Sequence, residues 1–207
     1  MTLVSTCRDP AVGNLRQRAL AAAHRMLETR GEAGLTLRAI AAELNTGVAS
    51  LYYHFANKDA LLAELAIDGF RELGRWMAMA VASPGARTTF NACGHAYLGF
   101  TRHRPALYAL MYDERLQVGH PGIRRAEAEA FEIYRRSLEN LGVPDADLAD
   151  VALAFWALGR GMASISCRLG GGSPGVAKQI ALRVMNGLEA LTGAPIAALS
   201  LAASDAA

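Results

Sequence analysis

Hydrophobic residues recur at intervals of three and four along nearly the whole chain, and the alternation typical of strands is almost absent. This interval is that of an amphipathic helix with one buried face. Glycines, prolines and capping residues divide the pattern into about nine helices. They are predicted near residues 14–30, from 37, from 48, 58–80, 87–104, 105–115, 122–141, 144–169 and 174–192. The predicted fold class is therefore all-α.

The first four helices have clear boundaries in the sequence. Thr36 and Asn57 can each cap a helix N-terminus with a side-chain oxygen. Asn45 and Gly47 tolerate the left-handed backbone of a tight turn. These signals predict two short helices joined by a turn and followed by a long fourth helix. Because no flexible linker interrupts that fourth helix, we expect it to join two domains as a rigid lever.

The chain is predicted to form an N-terminal domain over 12–60, a larger helical domain over 61–194 and a frayed tail over 195–207. In the larger domain, one helix carries a heptad-like apolar seam that we expect to be buried. The seam consists of Leu148, Val151, Phe155, Leu158, Met162, Ile165 and Leu169.

The short helix after the turn is rich in side chains that can form hydrogen bonds. It carries Ser50, Tyr52, Tyr53 and His54, and Lys58 follows just beyond its end. So short a helix cannot bury all of these groups. This combination is typical of the second helix of a helix-turn-helix, which presents polar side chains to the bases and phosphates of DNA.

Composition narrows the function classes. A hydrophobic content of 52% excludes disorder, and no stretch approaches the ~18 apolar residues of a membrane span. The N-terminus lacks the apolar segment of a signal peptide. A net charge of +2 is too small for a protein that coats DNA non-specifically, so DNA affinity should depend on placed contacts and dimerisation. The three scattered cysteines suit a reducing cytoplasm.

Enzyme and metal chemistry find little support in the sequence. No order of Ser, His and Asp and no pair of carboxylates stands out, and the glycines at 170–172 follow a helix rather than a strand. Cys93, His95 and His103 lack the ligand number and spacing of a zinc site. We therefore expect no catalytic activity, no cofactor and no bound metal.

Specific motifs strengthen the helix-turn-helix interpretation. The N-terminal ones are Leu35-Thr36-Leu-Arg38, Leu51-Tyr52-Tyr53-His54-Phe55 and Lys58-Asp59-Ala60-Leu61-Leu62. With these, the segment from Leu20 to about Leu62 resembles the tetracycline-repressor (TetR) family of bacterial transcription regulators. The C-terminal part resembles a ligand-domain subtype of that family less closely, through Tyr97-Leu-Gly-Phe100, the run His103 to Met111, and Trp156 to Gly161.

The resemblance implies an all-helical homodimer whose first three helices bind a near-palindromic, double-stranded DNA operator. The last two helices would pair with those of the partner, and a small-molecule inducer of unknown identity would enter the C-terminal core and release the DNA. The chain would then be a cytoplasmic, ligand-responsive regulator, most often a repressor, with no membrane partner. Two alternatives stay open: a constitutive DNA-binding or interaction protein without an inducer, and an all-helical enzyme.

The resemblance also implies which residues contact DNA. They are Thr36, Arg38, Gly47, Val48, Ser50, Tyr52, Tyr53, His54 and Lys58. Tyr53 and His54 resemble contacts to phosphate and base, and Lys58 a contact to phosphate. Arg38 suits bidentate contact with guanine. Packing against the first helix is the alternative for the aromatic residues, and Tyr52 is expected to be the more buried tyrosine.

Two positions depart from the family pattern at the start of the short helix. Gly47 and Val48 stand where a polar cap and a basic residue are usual. Val48 cannot bind a phosphate, but its side chain suits contact with a thymine methyl group.

Ligand contacts are expected among residues on core-facing stripes of the C-terminal helices. The candidates are Tyr97, Phe100, Thr101, Met111, Phe131, Tyr134, Phe155, Trp156, Arg160 and Met162. Any one of the aromatic or methionine side chains can instead be plain core. Arg160 stands where the family commonly has a histidine. It could bind an anion such as a carboxylate, pair with Glu127 or Asp150, or lie on the dimer surface.

Overall fold

The computed structural model describes residues 15–82, 86–139 and 144–170, and scattered positions between 175 and 187. All regular structure in these residues is helical, which confirms the all-α prediction. The helices are α1 (Leu15–Gly34), α2 (Leu37–Glu43), α3 (Val48–Tyr52), α4 (Lys58–Val81), α5 (Ala86–His103), α6 (Pro105–Met111), α7 (Glu114–Gly119), α8 (Pro121–Glu139) and α9 (Asp145–Gly170).

Among the described residues, the helices differ from the predicted ones at two places, α6 and α7. The single helix expected over 105–115 is α6 and the start of α7, because the chain leaves the helix at Tyr112 and the Asp113 carboxylate caps a new one, accepting from the Arg115 N–H at 2.9 Å. Of the helix expected over 174–192, only scattered positions between 175 and 187 are described, and these are helical, whereas the tail over 195–207 lies outside the described residues.

The predicted caps around the turn are present. Thr36 Oγ1 accepts from the Ala39 N–H at 3.0 Å, and Asn57 Oδ1 accepts from the Ala60 N–H at 2.8 Å. Asn45 adopts a positive φ of 50° in the turn between α2 and α3. These local hydrogen bonds fix where α2 and α4 begin, and therefore how α3 is presented between them.

α4 is the central support of the molecule, and it packs on α5, α6 and α8. Two of its glycines permit close approach. A Cβ at Gly69 would lie 2.7 Å from Met111 Sδ of α6, and one at Gly74 would lie 3.1 Å from Ile133 of α8. A single hydrophobic core runs from α1 to α9, so the N-terminal helices rest on the same packed interior as the larger domain.

The apolar seam on α9 is less buried than predicted. Leu148 and Met162 are buried, whereas Val151, Phe155, Leu158 and Ile165 are only partly so, and the Leu169 side chain lies outside the described part. The most buried stripe of α9 also uses small and aromatic residues, namely Ala152, Trp156 and Ala163. The seam therefore follows the edge of the buried face.

α9 also differs from the expectation that no segment is apolar enough to span a membrane. Its Asp145–Ser166 stretch meets that test by length and composition, with a mean hydropathy of 1.3 and 28% of the tested window buried. One such helix is weak evidence for a membrane, because helices of soluble proteins pass the same test. Because most of the tested window is not buried, one face of α9 has no packing partner among the described residues.

Candidate functional site

The α2–α3 pair is held on α1 by a small apolar core. Ile40 of α2 and Leu51 of α3 are fully buried, and Leu27 of α1 is nearly so. Because one face of each short helix is fixed in this way, the opposite faces are presented to solvent in a defined orientation. This is the arrangement of a helix-turn-helix.

α3 and the residues after it direct their polar side chains outward. Tyr53 is 87% exposed and Tyr52 52% exposed, so Tyr52 is the less exposed tyrosine, as predicted. Ser50 is exposed, and His54 is partly exposed with its ring edge-on to that of Tyr53 at 5.3 Å between centroids. At the helix start Gly47 is exposed and Val48 is partly buried against the core.

Two predicted contact residues on α2 share this surface. Thr36 and Arg38 are both exposed at the beginning of the helix. Among the described residues, no hydrogen bond or ion pair engages the Arg38 guanidinium, so its five N–H groups remain available. Thr36 is already committed to capping α2 through its hydroxyl oxygen, although the hydroxyl proton remains free to donate.

Lys58 has a partner that the sequence did not reveal. Its Nζ donates to the Glu32 carbonyl oxygen at 2.8 Å, which joins the start of α4 to the end of α1. Gly31 breaks the regular helix just before Glu32 with φ 66° and ψ 179°, a conformation that favours glycine. An ammonium has three donors, so two remain for a phosphate.

Ion pairs brace the N-terminal helices against each other. Arg25 of α1 meets Glu43 of α2 at 2.7 Å, and Arg16 of α1 meets Glu64 of α4 at 2.8 Å. The Arg16 guanidinium also lies 5.9 Å from the centroid of the Phe55 ring. These arginines stabilise the position of the helices, whereas no residue in the described part of the chain pairs with the Arg38 guanidinium.

Glu28 connects the N-terminal helices to the larger domain. Its carboxylate on α1 accepts from the Ala106 and Leu107 N–H groups at 3.4 and 3.2 Å, and so caps α6. Pro105 opens α6, and Arg104 at the cap position cannot cap the helix, because its guanidinium has no acceptor and instead pairs with Glu72 of α4. A helix that starts without its own cap is the sequence signal that could have indicated such a partner.

In the larger domain, most predicted ligand contacts are core residues. Tyr97, Phe100, Thr101, Met111, Tyr134, Trp156 and Met162 are buried, and Phe131 and Phe155 are partly so. Tyr97 joins a buried hydroxyl cluster, with oxygen distances of 3.2 Å to Tyr108 and 3.3 Å to Tyr112. Burial raises the pKa of the Tyr97 hydroxyl well above its ordinary value, so it stays neutral.

A groove of about 670 Å³ lies along α8 and α9. It brings together three predicted residues, Phe131, Trp156 and Arg160. It adds residues that the sequence did not single out as ligand contacts, namely Gln117, Arg124, Glu127, Ala128, Leu153, Ala157, Gly161 and Ser164. The other predicted ligand residues do not line this groove, so the structure brings only part of the predicted set together in one site.

Arg160 is exposed, contrary to its expected position on a core-facing stripe. It lies one helical turn beyond the buried Trp156 and to one side of it, where the long side chain reaches the groove. Its guanidinium stacks 4.2 Å from the centroid of the Tyr112 ring. No carboxylate oxygen of the described residues lies within the 4.0 Å of an ion pair with Arg160, so neither Glu127 nor Asp150 is a direct partner.

Glu127 faces Arg160 across the groove at longer range. Burial raises the pKa of this carboxyl group, and the charge of Arg160 and a hydrogen bond from Trp156 oppose that rise. The groove therefore contains two arginines, one acidic group and an aromatic wall.

Comparison with known proteins identifies the two halves of the chain. The family described as bacterial regulatory proteins, tetR family, matches residues 19–65. The family described as tetracyclin repressor-like, C-terminal domain, matches residues 90–188. The chain belongs to the tetR family. The tetR-type helix-turn-helix is thus the α2–α3 unit, and the groove lies within the segment that matches the C-terminal domain.

Individual relatives agree with this assignment. The chain is 29% identical over 114 residues to the uncharacterized HTH-type transcriptional regulator YobS of Bacillus subtilis, covering 53% of this chain and 60% of that protein. A solved protein of unknown function from Rhodococcus is 27% identical with a TM-score of 0.68, covering 85% of this chain and 94% of the other.

The regulator SCO7222, a TetR from Streptomyces coelicolor, shares the fold at 23% identity and a TM-score of 0.59, covering 85% and 77% of the two chains. The two family matches and the relative YobS, rather than this shared fold, show that the protein is a transcriptional regulator with a DNA-binding domain and not an enzyme.

Proposed function

We propose that this tetR-family protein is a cytoplasmic, ligand-responsive repressor that binds a near-palindromic operator as a homodimer. The observation that carries the proposal is the exposed polar surface formed by the start of α2 and by α3. On that surface, Tyr53 is 87% exposed and the Arg38 guanidinium is not engaged by any described residue. In a helix-turn-helix, the exposed side chains of the second helix are the ones that contact base edges in the major groove.

The proposed DNA contacts fall into two groups. Tyr53, Lys58 and the Thr36 hydroxyl proton would bind phosphates and fix the register of the protein on the duplex. Arg38, His54 and Val48 would meet base edges and supply sequence preference. Ser50 and Gly47 allow the backbone of α3 to approach the groove closely, and Tyr52 contributes at the edge of the same surface.

Dimerisation is supported by one flank of α9. Ala154 and Gly161 are exposed there, and Leu158 and Ile165 are only partly buried. These residues recur at intervals of four, three and four and so form one stripe. Small and aliphatic residues at this spacing suit packing against a helix of a second copy. We propose that α9 and the helix expected over 174–192 form this interface, with 12–60 as the DNA-binding domain and 61–194 as the ligand-binding and dimerisation domain.

Ligand response is supported by the groove beside this stripe on α9, and Gly161 lies at the border between the two. Its volume of about 670 Å³ is within the usual range for small-molecule sites. A ligand there contacts α8 and α9, and it touches Arg160, which stacks on Tyr112 at the end of α6. The capping of α6 by Glu28 of α1 gives a physical route from the groove to the DNA-binding helices.

The test is to select bound sites from a random DNA pool with the purified protein and then to screen metabolites for release of the selected DNA. We expect a near-palindromic site and at least one releasing compound. A Tyr53→Ala, His54→Ala double variant should recover no site. Recovery of a site that no compound releases would favour a constitutive binder instead, and failure to enrich any sequence would contradict the proposal.

A further inference from the structure

Arg160 is a cation whose charge is not neutralised by contact with any acidic side chain that the structure describes. Its guanidinium face lies 4.2 Å from the centroid of the Tyr112 ring, and no carboxylate oxygen of the described part of the chain forms an ion pair with it. Stacking uses the face of the guanidinium and leaves the N–H groups in its plane free. A free planar fork of donors is the geometry that binds a carboxylate in bidentate fashion.

The charge in the rest of the groove favours an anion over a cation. Arg124 also lines the groove, and Glu127 is the one acidic residue among the lining residues. Burial opposes ionisation of that acid, as the raised pKa of its carboxyl group indicates. A site for a polyphosphate would need more cations than two arginines. The charge of the two arginines and one glutamate that line the groove therefore fits a ligand with a single negative charge.

The remaining surface of the groove is apolar and broad. Phe131, Leu153, Trp156 and Ala157 contribute to its wall, and Leu153 is 60% exposed. An ion alone would leave this wall in contact with water. A hydrocarbon or aromatic body attached to the anion would cover this wall and remove its apolar surface from water.

We propose that the groove between α8 and α9 binds a small monocarboxylate with an apolar body, and that Arg160 holds its carboxylate while Phe131 and Trp156 hold its body. This inference rests on the proposed ligand-responsive function and gives the ligand a chemical class. Arg160 thereby acts as the residue that selects a carboxylate over a neutral or cationic compound of the same shape.

The test compares three compounds of nearly equal shape: 4-phenylbutyrate, its neutral amide and 4-phenylbutylamine. Binding is followed by the fluorescence of Trp156 in a Trp76→Phe background, which leaves one tryptophan. Calorimetry on the wild-type chain repeats the measurement without that background substitution. We expect the carboxylate to bind at least about tenfold more tightly than the amide, and the amine to bind weakest.

Substitution then tests the role of Arg160. Arg160→Met should bring the carboxylate-to-amide preference close to one, while Arg102→Met, which removes an exposed arginine on α5, should leave the preference unchanged. Circular dichroism confirms that each variant is folded. Equal binding of carboxylate and amide to the wild type, binding of none of the three compounds, or a preference that survives Arg160→Met would each overturn the inference.

These measurements contain no DNA. The outcome is therefore separate from that of the proposed function, which would fail if operator selection failed even though the carboxylate bound.

Discussion

At the scale of single residues, the DNA-facing surface contains two kinds of cation. Lys58 is anchored to the Glu32 carbonyl oxygen, which fixes its ammonium at the junction of α1 and α4. Arg38 has no anchor among the described residues and keeps its planar fork free. An anchored point charge suits a phosphate, whose position does not depend on sequence, whereas a free fork suits a guanine edge. The two residues should therefore differ in how their loss affects binding.

Arg38→Ala should weaken operator binding by about 1–3 kcal/mol and should do so mainly at one base pair. Lys58→Ala is the matched comparison, and it should weaken binding to all operator variants alike. It should also lower the slope of log affinity against log salt concentration by about one in magnitude. The measurement is a binding titration over a set of single-base operator variants at several salt concentrations. A uniform loss on Arg38→Ala would remove this residue from base recognition.

Asp68 makes the stability of the molecule depend on pH in the acid range. Its pKa lies below the ordinary value of 3.8, chiefly through its interaction with the His24 imidazole, whose Nε2 lies 4.0 Å from Asp68 Oδ2, and despite the opposing effect of burial. Because the folded pKa is lower than the unfolded one, the ionised group stabilises the fold above about pH 4. That contribution is lost as the pH falls through the folded pKa.

Asp68→Asn should therefore lower the free energy of unfolding at pH 7, and the difference from wild type should shrink towards pH 3. Urea unfolding at both pH values measures it. Asp59→Asn, which changes an exposed aspartate in the first turn of the same helix, is the comparison. A difference for Asp68→Asn that does not change between the two pH values would contradict this account.

At the scale of elements, α6 is held at both ends by other parts of the chain. The Glu28 carboxylate of α1 caps its N-terminus, and Arg160 of α9 stacks on Tyr112 at its C-terminus. Along its length, α6 lies against α4 where Gly69 permits close approach. A short helix fixed by three other helices moves only if one of its contacts changes, which makes it a suitable transmitter between groove and DNA-binding helices.

Glu28→Ala should free the capped end of α6, because two backbone N–H groups would lose their acceptor. We expect a loss of about 0.5–2 kcal/mol in the free energy of unfolding. Hydrogen exchange of the segment 105–112 should become faster. Glu129→Ala, at an exposed position of α8, is the control and should leave that exchange unchanged. Unaltered exchange of α6 in Glu28→Ala would show that the cap does not hold the helix.

Some features of these helices could be predicted from the sequence and others could not. The start of α2 and of α4 could be predicted, because Thr36 and Asn57 act on N–H groups three residues away. The exposure of α3 could also be predicted, because so short a helix cannot bury all of its polar side chains. By contrast, the Glu28 cap joins residues 79 positions apart, and the groove depends on how α8 lies against α9. The uncapped start of α6 indicates that a partner is needed, but local patterns do not identify which distant residue supplies it, and so Glu28 and Gln117 were missed.

At the scale of the whole molecule, α9 presents different surfaces on its two flanks. One flank contributes Leu153 and Arg160 to the groove, and the neighbouring flank carries Ala154 and Leu158, with Gly161 at the border between them. A partner helix packed on the second flank would cover its small residues and leave the groove side to the ligand. Binding of two linked DNA-binding heads to one palindrome would then raise affinity well above that of a single head.

Ala154→Asp should place a charge in this proposed interface and give a monomer, because an unpaired carboxylate is costly to bury between apolar helices. Ala149→Asp is the matched control: it is exposed on the same helix, but lies about 140° away around the axis. Sedimentation should show a monomer for Ala154→Asp and a dimer for Ala149→Asp and the wild type.

The monomer should also bind a full operator little better than a half-site, with a loss on the full site of about 10²–10⁴-fold. A dimeric Ala154→Asp with full operator affinity would place the interface elsewhere on the chain. A monomeric wild type that still distinguished the full site from the half-site would mean that the DNA itself, rather than this flank of α9, brings two copies together.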